Sequence, residues 1–411
     1  MPGARAALLG AILFAHGGCG GNNTAPHVET LPDPPASDAS RPLLLRDVTV
    51  VPMTGDAPRE HRTVLVRDGR IAEIGEAAAV RAPEGAVVIE GRGRWLMPAL
   101  IDMHVHLRDA DVPAYLAAGV GTVRNMWGHP NVARLRDEIA AGRLAGPAVV
   151  SASSGLDGDP PSWPYTQRVL EPSQAAPTVA AQAEQGWAYI KVYQQLSLAS
   201  YDAIVAAARA RGLPVIGHVP TAVTIQHALA SGQRSIEHFS GYDRAVSATG
   251  RRGTFGWSDA ERGRFAALVE ATVAAGAWNC PTMAINVALS SRLPDADRVV
   301  RHRREFLRAL AEAGAPLLLG SDAGIDVVPA GASLHDELAE FVAAGLPPES
   351  ALRAGTADAA RFLGREDLGV VRVGAQADLL LLPENPLEDV GNVRTFDGMV
   401  LRGAWRPAGG S

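Results

Sequence analysis

Lysine is almost missing from this chain: of 38 basic residues in 411, only Lys191 is lysine and the other 37 are arginine. Arginine therefore serves solubility and ion pairing here. Its guanidinium stays protonated, whereas a buried lysine can lose its proton and act as an amine, so charge alone does not account for the exception. Cysteine is nearly as scarce, with Cys19 and Cys280 alone. If a leader ending at Cys19 is removed, Cys280 stands by itself and no intrachain disulfide is available in any compartment. Basic runs are absent, and the formal net charge is −6. That balance leaves no electrostatic footprint for nucleic acid or an anionic membrane, so a small-molecule or peptide partner is expected. Long apolar runs are missing too, since the stretch Ala6 to Ala15 is only ten residues and cannot span a bilayer as a helix. With Arg5 before it and Gly17, Gly18 and Cys19 after it, that stretch reads as an export signal over residues 1–19. Cys19 is a candidate for lipid attachment, although His16 stands where lipoprotein signals usually carry leucine. The expected location is periplasmic, secreted or lipid-anchored, with membrane contact only if Cys19 is lipidated. Assembly into a homo-oligomer is left open.

What is present is a chain able to bury a large core, at 47% hydrophobic and 20% charged residues. Residues 20–42 are rich in Gly, Asn, Pro, Asp and Ser without hydrophobic periodicity, which suits a flexible tether. Short β-branched runs follow at Val48 to Val51, Thr63 to Val66, Ile71 to Ile74 and Val87 to Ile89, separated by turns such as Asp68-Gly69. They predict a small antiparallel unit over 43–97. Similar runs at Asp378 to Leu382 and Met399 to Leu401 predict that 366–408 joins it as the second half of one sheet domain.

Between these halves, residues 98–365 alternate short buried strands with Ala-rich helical stretches, the pattern of repeated βα units and a parallel sheet. Eight strands are expected: Leu100 to His106, Thr122 to Met126, Val149 to Ser153, Ala188 to Tyr193, Pro214 to Val219, Ser235 to Phe239, Trp278 to Met283 and Leu317 to Asp322. Eight is the number of a closed (β/α)8 barrel, a TIM barrel, whose reactive residues come from the C-terminal ends of its strands. Five of the expected ends carry metal-type ligands.

His104 and His106 are two apart on a strand, so both side chains point to one face and can share an ion. Such a pair also arises by chance, but this one closes a strongly apolar strand where unpartnered ring nitrogens would be costly. Lys191 ends the strand Tyr189-Ile-Lys-Val-Tyr. Codon bias could leave one lysine by accident, but a neutral amine at a strand end can also react with carbon dioxide to give an anionic carbamate able to bridge two metals. His218 and His238 close Pro214-Val-Ile-Gly-His and Ser235-Ile-Glu-His, and each alone reads as structural. Asp322 follows Leu317-Leu-Leu-Gly-Ser, where a buried carboxylate requires compensation that a metal would supply. Nitrogen and oxygen ligands of this kind make zinc the first expectation, with manganese, cobalt, iron or nickel as alternatives.

With Leu100-Ile-Asp-Met-His-Val-His, Ile190-Lys-Val-Tyr, Gly217-His-Val-Pro, Ser235-Ile-Glu-His, Gly320-Ser-Asp-Ala-Gly and Gly374-Ala-Gln-Ala-Asp-Leu in view, the sequence resembles the amidohydrolase superfamily over nearly all of Leu43 to Arg406. Within it, the sequence is similar to the imidazolonepropionase-like and Xaa-Pro dipeptidase-like branch. The resemblance implies a TIM barrel joined to a composite β-sandwich, and a binuclear centre bridged by carboxylated Lys191. By position, His104, His106 and Asp322 match the ligands of one metal, and His218 and His238 those of the other. Two such metals lower the pKa of water from about 15.7 to about 7. Asp322 would then act as the catalytic acid and base in hydrolysis of an amide-type bond.

Substrate contacts are expected from Tyr193, on the strand face of Lys191, from Trp163 in the long loop Ser154 to Pro172, and from Arg124. Arg124 equally suits a pairing with backbone or a neighbouring acid. The loop lacks the Gly-Gly-His segment of peptidase-like members. His129 and His227 are expected at loop or helix surfaces, His335 packed on the helix after the eighth strand, Asp102 bonded inside the barrel, and Glu237 pointing outward. Two other readings remain: a lactonase or esterase on the same site, and a non-catalytic relative of the fold. A single-metal deaminase branch commonly lacks the lysine of the fourth strand.

Overall fold

The structure, a computed structural model, describes residues 41–325 and 327–408. The leader expected over 1–19, Cys19 with it, and nearly all of the tether expected over 20–42 lie outside the described residues. Among those described, no helix is long and apolar enough to cross a membrane.

The terminal segments do meet in one sheet. Its strands run in the order Ala404–Pro407, Gly398–Leu401, Leu379–Leu382, Trp95–Pro98, Leu43–Val50, Arg59–Arg67 and Arg70–Glu76, with Val87–Glu90 also paired to Leu43–Val50. Asp68 and Gly69 both take positive φ, 50° and 73°, as a tight two-residue hairpin between right-twisted strands requires. The expectation of a purely antiparallel N-terminal unit needs correction, because Leu43–Val50 pairs in parallel with both Val87–Glu90 and Trp95–Pro98. The chain from Arg70–Glu76 returns by a crossover, not a hairpin. Trp95–Pro98 then pairs antiparallel with Leu379–Leu382, Leu380 opposite Met97, and so ties the two ends of the chain together. Leu43, Leu45, Val64, Leu96, Leu379, Leu381 and Val400 form the apolar cluster on this sheet.

The middle of the chain is α/β, and its strands pair in parallel. Leu100–Val105 pairs with Val120–Asn125, and that strand with Ala148–Ser151. A parallel bridge from Ala152 to Tyr189 leads on to Ile190–Val192. Val215–Gly217, Ser235–Glu237 and Trp278–Cys280 follow in sequence order. Asn279 then bridges Leu317, and Ala323 bridges Val105 of the first strand. The expected eighth strand, Leu317 to Asp322, is therefore present as bridges and single hydrogen bonds, such as Met103 N to Leu319 O at 2.9 Å, not as a regular ladder.

Helices alternate with these segments and bury a mainly apolar stripe. Leu198–Arg209 is an example. Ser197 caps it by accepting from Ser200 N at 3.1 Å, and Tyr201, Ile204, Val205 and Ala208 make its buried stripe. Ile101, Met103, Met126, Ala152, Tyr189, Ile216, Cys280 and Leu318 draw most of the parallel segments into one cluster, which Phe362 joins. The strands Ser235–Glu237 and Trp278–Cys280 stop two and three residues before the expected ends at Phe239 and Met283, because His238, Phe239 and Thr282 take left-handed backbone.

Candidate metal centre

His104, His106, Lys191, His218, His238 and Asp322 come from five separate strand ends and meet in one place. The ring centroids of His104 and His238 are 4.6 Å apart, those of His218 and His238 4.7 Å, and those of His104 and His106 5.6 Å. Asp322 Oδ1 lies 3.3 Å from His104 Nε2 and 3.2 Å from His106 Nε2, and its Oδ2 lies 3.6 Å from His238 Nδ1. Single atoms of His104, His106 and Asp322 fall within 4.8 Å of one another. His106 is the most open of the six, its side chain 27% exposed, and Lys191 and His104 are wholly buried.

Hydrogen bonding fixes how the imidazoles face. His104 Nδ1 lies 2.8 Å from Glu237 Oε2. Burial pushes the Glu237 carboxyl up, but Arg124 and His104 together outweigh it and hold the group ionised, so it can only accept. His104 Nδ1 must then carry the proton. Burial, helped by Lys191, lowers the imidazole to about 3, so Nε2 keeps a bare lone pair. That lone pair faces Asp322 Oδ1, and neither buried atom has a hydrogen-bond partner. Two buried acceptors 3.3 Å apart call for a cation. His238 follows the same logic. Its Nδ1 lies 2.7 Å from Thr282 Oγ1, whose own hydroxyl donates to Pro281 O at 2.8 Å, so His238 Nδ1 donates and its Nε2 is left as the acceptor.

Lys191 Nζ is likewise buried without a partner, as is His218 Nδ1. Burial lowers the Lys191 amine to about 8, against the opposing pull of Glu237 and Asp322. Burial first and His238 second take His218 well below the ordinary imidazole range. For Asp322, burial acts upward, but His238 and His106 prevail and keep the carboxylate ionised. The donor set of neutral imidazoles, a carboxylate and an amine with a lowered pKa fits a divalent metal.

Backbone conformation gives these side chains their aim. His238 and Asp322 sit at φ 61° and 60°, in the left-handed region that non-glycine residues seldom enter. Arg303 donates from Nη2 to His238 O at 2.9 Å and helps hold that turn. Gly217, at φ 123°, is where the chain crosses Lys191: a Cβ there would stand 2.4 Å from Val192 O and 3.0 Å from Lys191 Cδ.

The left-handed His238 also overturns one expectation. Alternation from an inward His238 puts Glu237 outward, yet Glu237 is fully buried against His104 and Arg124, because the positive φ breaks the alternation after it. The signal was in Ser235-Ile-Glu-His, where Ser235 and Glu237 share a strand face and Ser235 Oγ donates to Glu237 Oε1 at 2.5 Å. Thr282 and Arg303 were missed as well. Neither carries a motif, and only the fold brings them to His238.

Arg124 is wholly buried beneath the cluster. Its Nη2 donates to Glu237 Oε1 at 3.0 Å and its Nε to Met103 O at 2.6 Å, so the pairing reading holds and no face is left for a substrate carboxylate. Tyr193 and Trp163 are at the cluster. Tyr193 packs on His218 at 4.2 Å between centroids, and Trp163 stacks on His106 at 6.4 Å. Asp102 is buried and accepts from His104 N at 3.1 Å and Ser321 N at 3.0 Å, inside the parallel sheet as expected. His227 is partly exposed and pairs with Asp202, and His335 is buried with Nε2 donating to Ala118 O at 3.0 Å. His129 is half-buried, stacked 5.0 Å from Tyr165, more enclosed than a surface residue.

Residues 95–405 match the Amidohydrolase family. An uncharacterized protein of Mycobacterium tuberculosis is 27% identical over 350 residues, covering 76% of this chain and 85% of that protein. The chain spans only 11% of the length of the Anaeromyxobacter dehalogenans dihydroorotase it matches, at 48% identity over 48 residues or 12% of this chain. Among solved structures, a Xaa-Pro dipeptidase with bound methionine superposes with a TM-score of 0.73 at 21% identity, covering 89% of this chain and all of that one. A bottromycin amidohydrolase does so with a TM-score of 0.73 at 25% identity, covering 92% of each.

Proposed function

Because the chain belongs to the amidohydrolase family, we propose that it is a metal-dependent hydrolase that breaks an amide-type carbon–nitrogen bond in a small molecule or peptide. The observation that carries this reading is the buried meeting of His104 Nε2 and Asp322 Oδ1, 3.3 Å apart and both without a hydrogen-bond partner, beside the equally unpartnered Lys191 Nζ. Two divalent ions, zinc first among them, fit that donor set. His104, His106 and Asp322 would hold one, His218 and His238 the other, and Lys191 would join them as a carbamate. The carbamate forms when the neutral Nζ adds to the carbon of carbon dioxide and its surplus proton leaves to solvent. Parallel pairings that return from Ala323 to the first strand support a (β/α)8 barrel over 98–365 as the scaffold. The sheet shared by 43–97 and 366–408 supports the composite domain beside it. Export through a leader over 1–19 is part of the same proposal.

Bound metal would supply water ionised near pH 7 and polarise the scissile carbonyl. Asp322 would take the proton of the attacking water and hand it to the leaving nitrogen. Tyr193 would donate its hydroxyl to the carbonyl oxygen as charge builds there. Glu237 would keep His104 in the Nδ1–H tautomer throughout.

Metal analysis of mildly purified protein should give about two ions per chain. Chelation should abolish hydrolysis of an N-acyl amino acid, dipeptide or cyclic amide, and added zinc should restore it. Finding no metal, with nothing restored by adding it, would end this reading. Turnover of lactones with no amide cleaved would overturn the carbon–nitrogen assignment and leave the metal site standing.

A further inference from the structure

Trp163 does more than stack on His106: we propose that it is a positioning residue which, by donating to Tyr193, leaves the tyrosine hydroxyl free to give its only proton to a substrate oxyanion. This rests on the reading above for Tyr193. Trp163 Nε1 lies 2.8 Å from Tyr193 Oη, and indole nitrogen can only donate, so the hydroxyl accepts in that bond. Among the described residues Tyr193 donates to nothing. A hydroxyl that already accepts is polarised toward donating, and its rotor has lost one of the directions it could take.

Holding the loop is not what the indole bond is for. The residues on either side of Trp163 are tied separately: Ser162 Oγ donates to Asp157 Oδ2 at 2.8 Å, and Trp127 Nε1 donates to Pro164 O at 2.8 Å. Asp157 in turn accepts from Gln195 N at 2.5 Å, two residues beyond Tyr193, which fixes the loop to the strand end that bears the tyrosine. Tyr193 itself is wedged between the Trp127 ring, edge-on at 5.2 Å, and the His218 ring at 4.2 Å. With ring and loop both held, the remaining freedom is the direction of the O–H, and the indole N–H sets it.

The test is a double-mutant cycle on the full-length, zinc-loaded protein with Trp163→Phe, Tyr193→Phe and the pair. Methylphosphonate binding, read by calorimetry, serves as an oxyanion probe that needs no turnover. Trp163→Phe should weaken binding about three- to tenfold when Tyr193 is present and leave it unchanged in the Tyr193→Phe background. With an amide substrate, Trp163→Phe should lower kcat more than it raises KM. Equal losses in both backgrounds would mean that Trp163 acts by shape, and would overturn the proposal. So would binding that ignores Tyr193→Phe or an unmodified protein that takes up no phosphonate. Failure of the hydrolase reading is separate: it would show as no turnover of any amide while the binding cycle still couples the two residues.

Discussion

Replacing Lys191 by arginine keeps the charge and removes the amine that can lose its proton. Lys191→Arg is expected to drop metal content from about two ions per chain to one or fewer. Elemental analysis checks this, and full metal with full activity would refute the bridge. Glu237→Gln keeps an oxygen for His104 Nδ1 but strips the charge that neutralises Arg124, both groups being wholly buried. Zinc affinity should fall about ten- to a hundredfold, seen by competition with a chelator. Leaving Arg124 unpaired should also destabilise the fold by about 3–5 kcal/mol, seen by denaturant melting. The six candidate ligands were legible in sequence because each stands at or near the end of a short segment expected to be a buried strand. Glu237 was not, since its direction depends on a positive φ at His238 that strand periodicity does not encode.

Single elements carry their own constraints. At the end of Val215–Gly217, Gly217→Ala would force a Cβ against Val192 O at a φ that L side chains avoid. A loss of at least about 2 kcal/mol in unfolding free energy is expected, together with displaced Lys191 and reduced metal binding. On Ala332–Ala343, burial lowers His335 from 6.5 to about 4, with Arg394 adding to it, so the folded chain holds it neutral. The unfolded chain then binds the extra proton between these values. The stability His335 contributes is complete above pH 6.5 and is lost as pH falls through 4, up to about 3 kcal/mol. His335→Gln should flatten the acid limb of stability against pH in that window, and an unchanged slope would contradict it. Strand positions were readable because buried runs and Ala-rich helices alternate. Strand ends were not, since left-handed Thr282 and Asp322 cut the ladders short.

Across the whole molecule, Trp95–Pro98 joins residues more than 280 positions apart, pairing with Leu43–Val50 on one edge and Leu379–Leu382 on the other. Truncation after residue 365 should strip that second edge and bare the apolar cluster of Leu45, Val64 and Leu96. Loss of soluble protein or of a cooperative thermal transition is expected, whereas a truncated chain that melts cooperatively would show that the C-terminal segment is dispensable. The sequence by itself determined which residue types end each buried segment, that one amine was spared among arginines, and that the two termini share a β pattern. Those are local properties, written in side-chain periodicity and composition. Tertiary structure decided that Glu237 and Arg124 lie behind His104, that Thr282 sets the tautomer of His238, and that Trp163 reaches Tyr193. Each of these joins residues from different segments, and a hydrogen bond needs its partners within about 3 Å, a condition only the folded packing of those segments can meet.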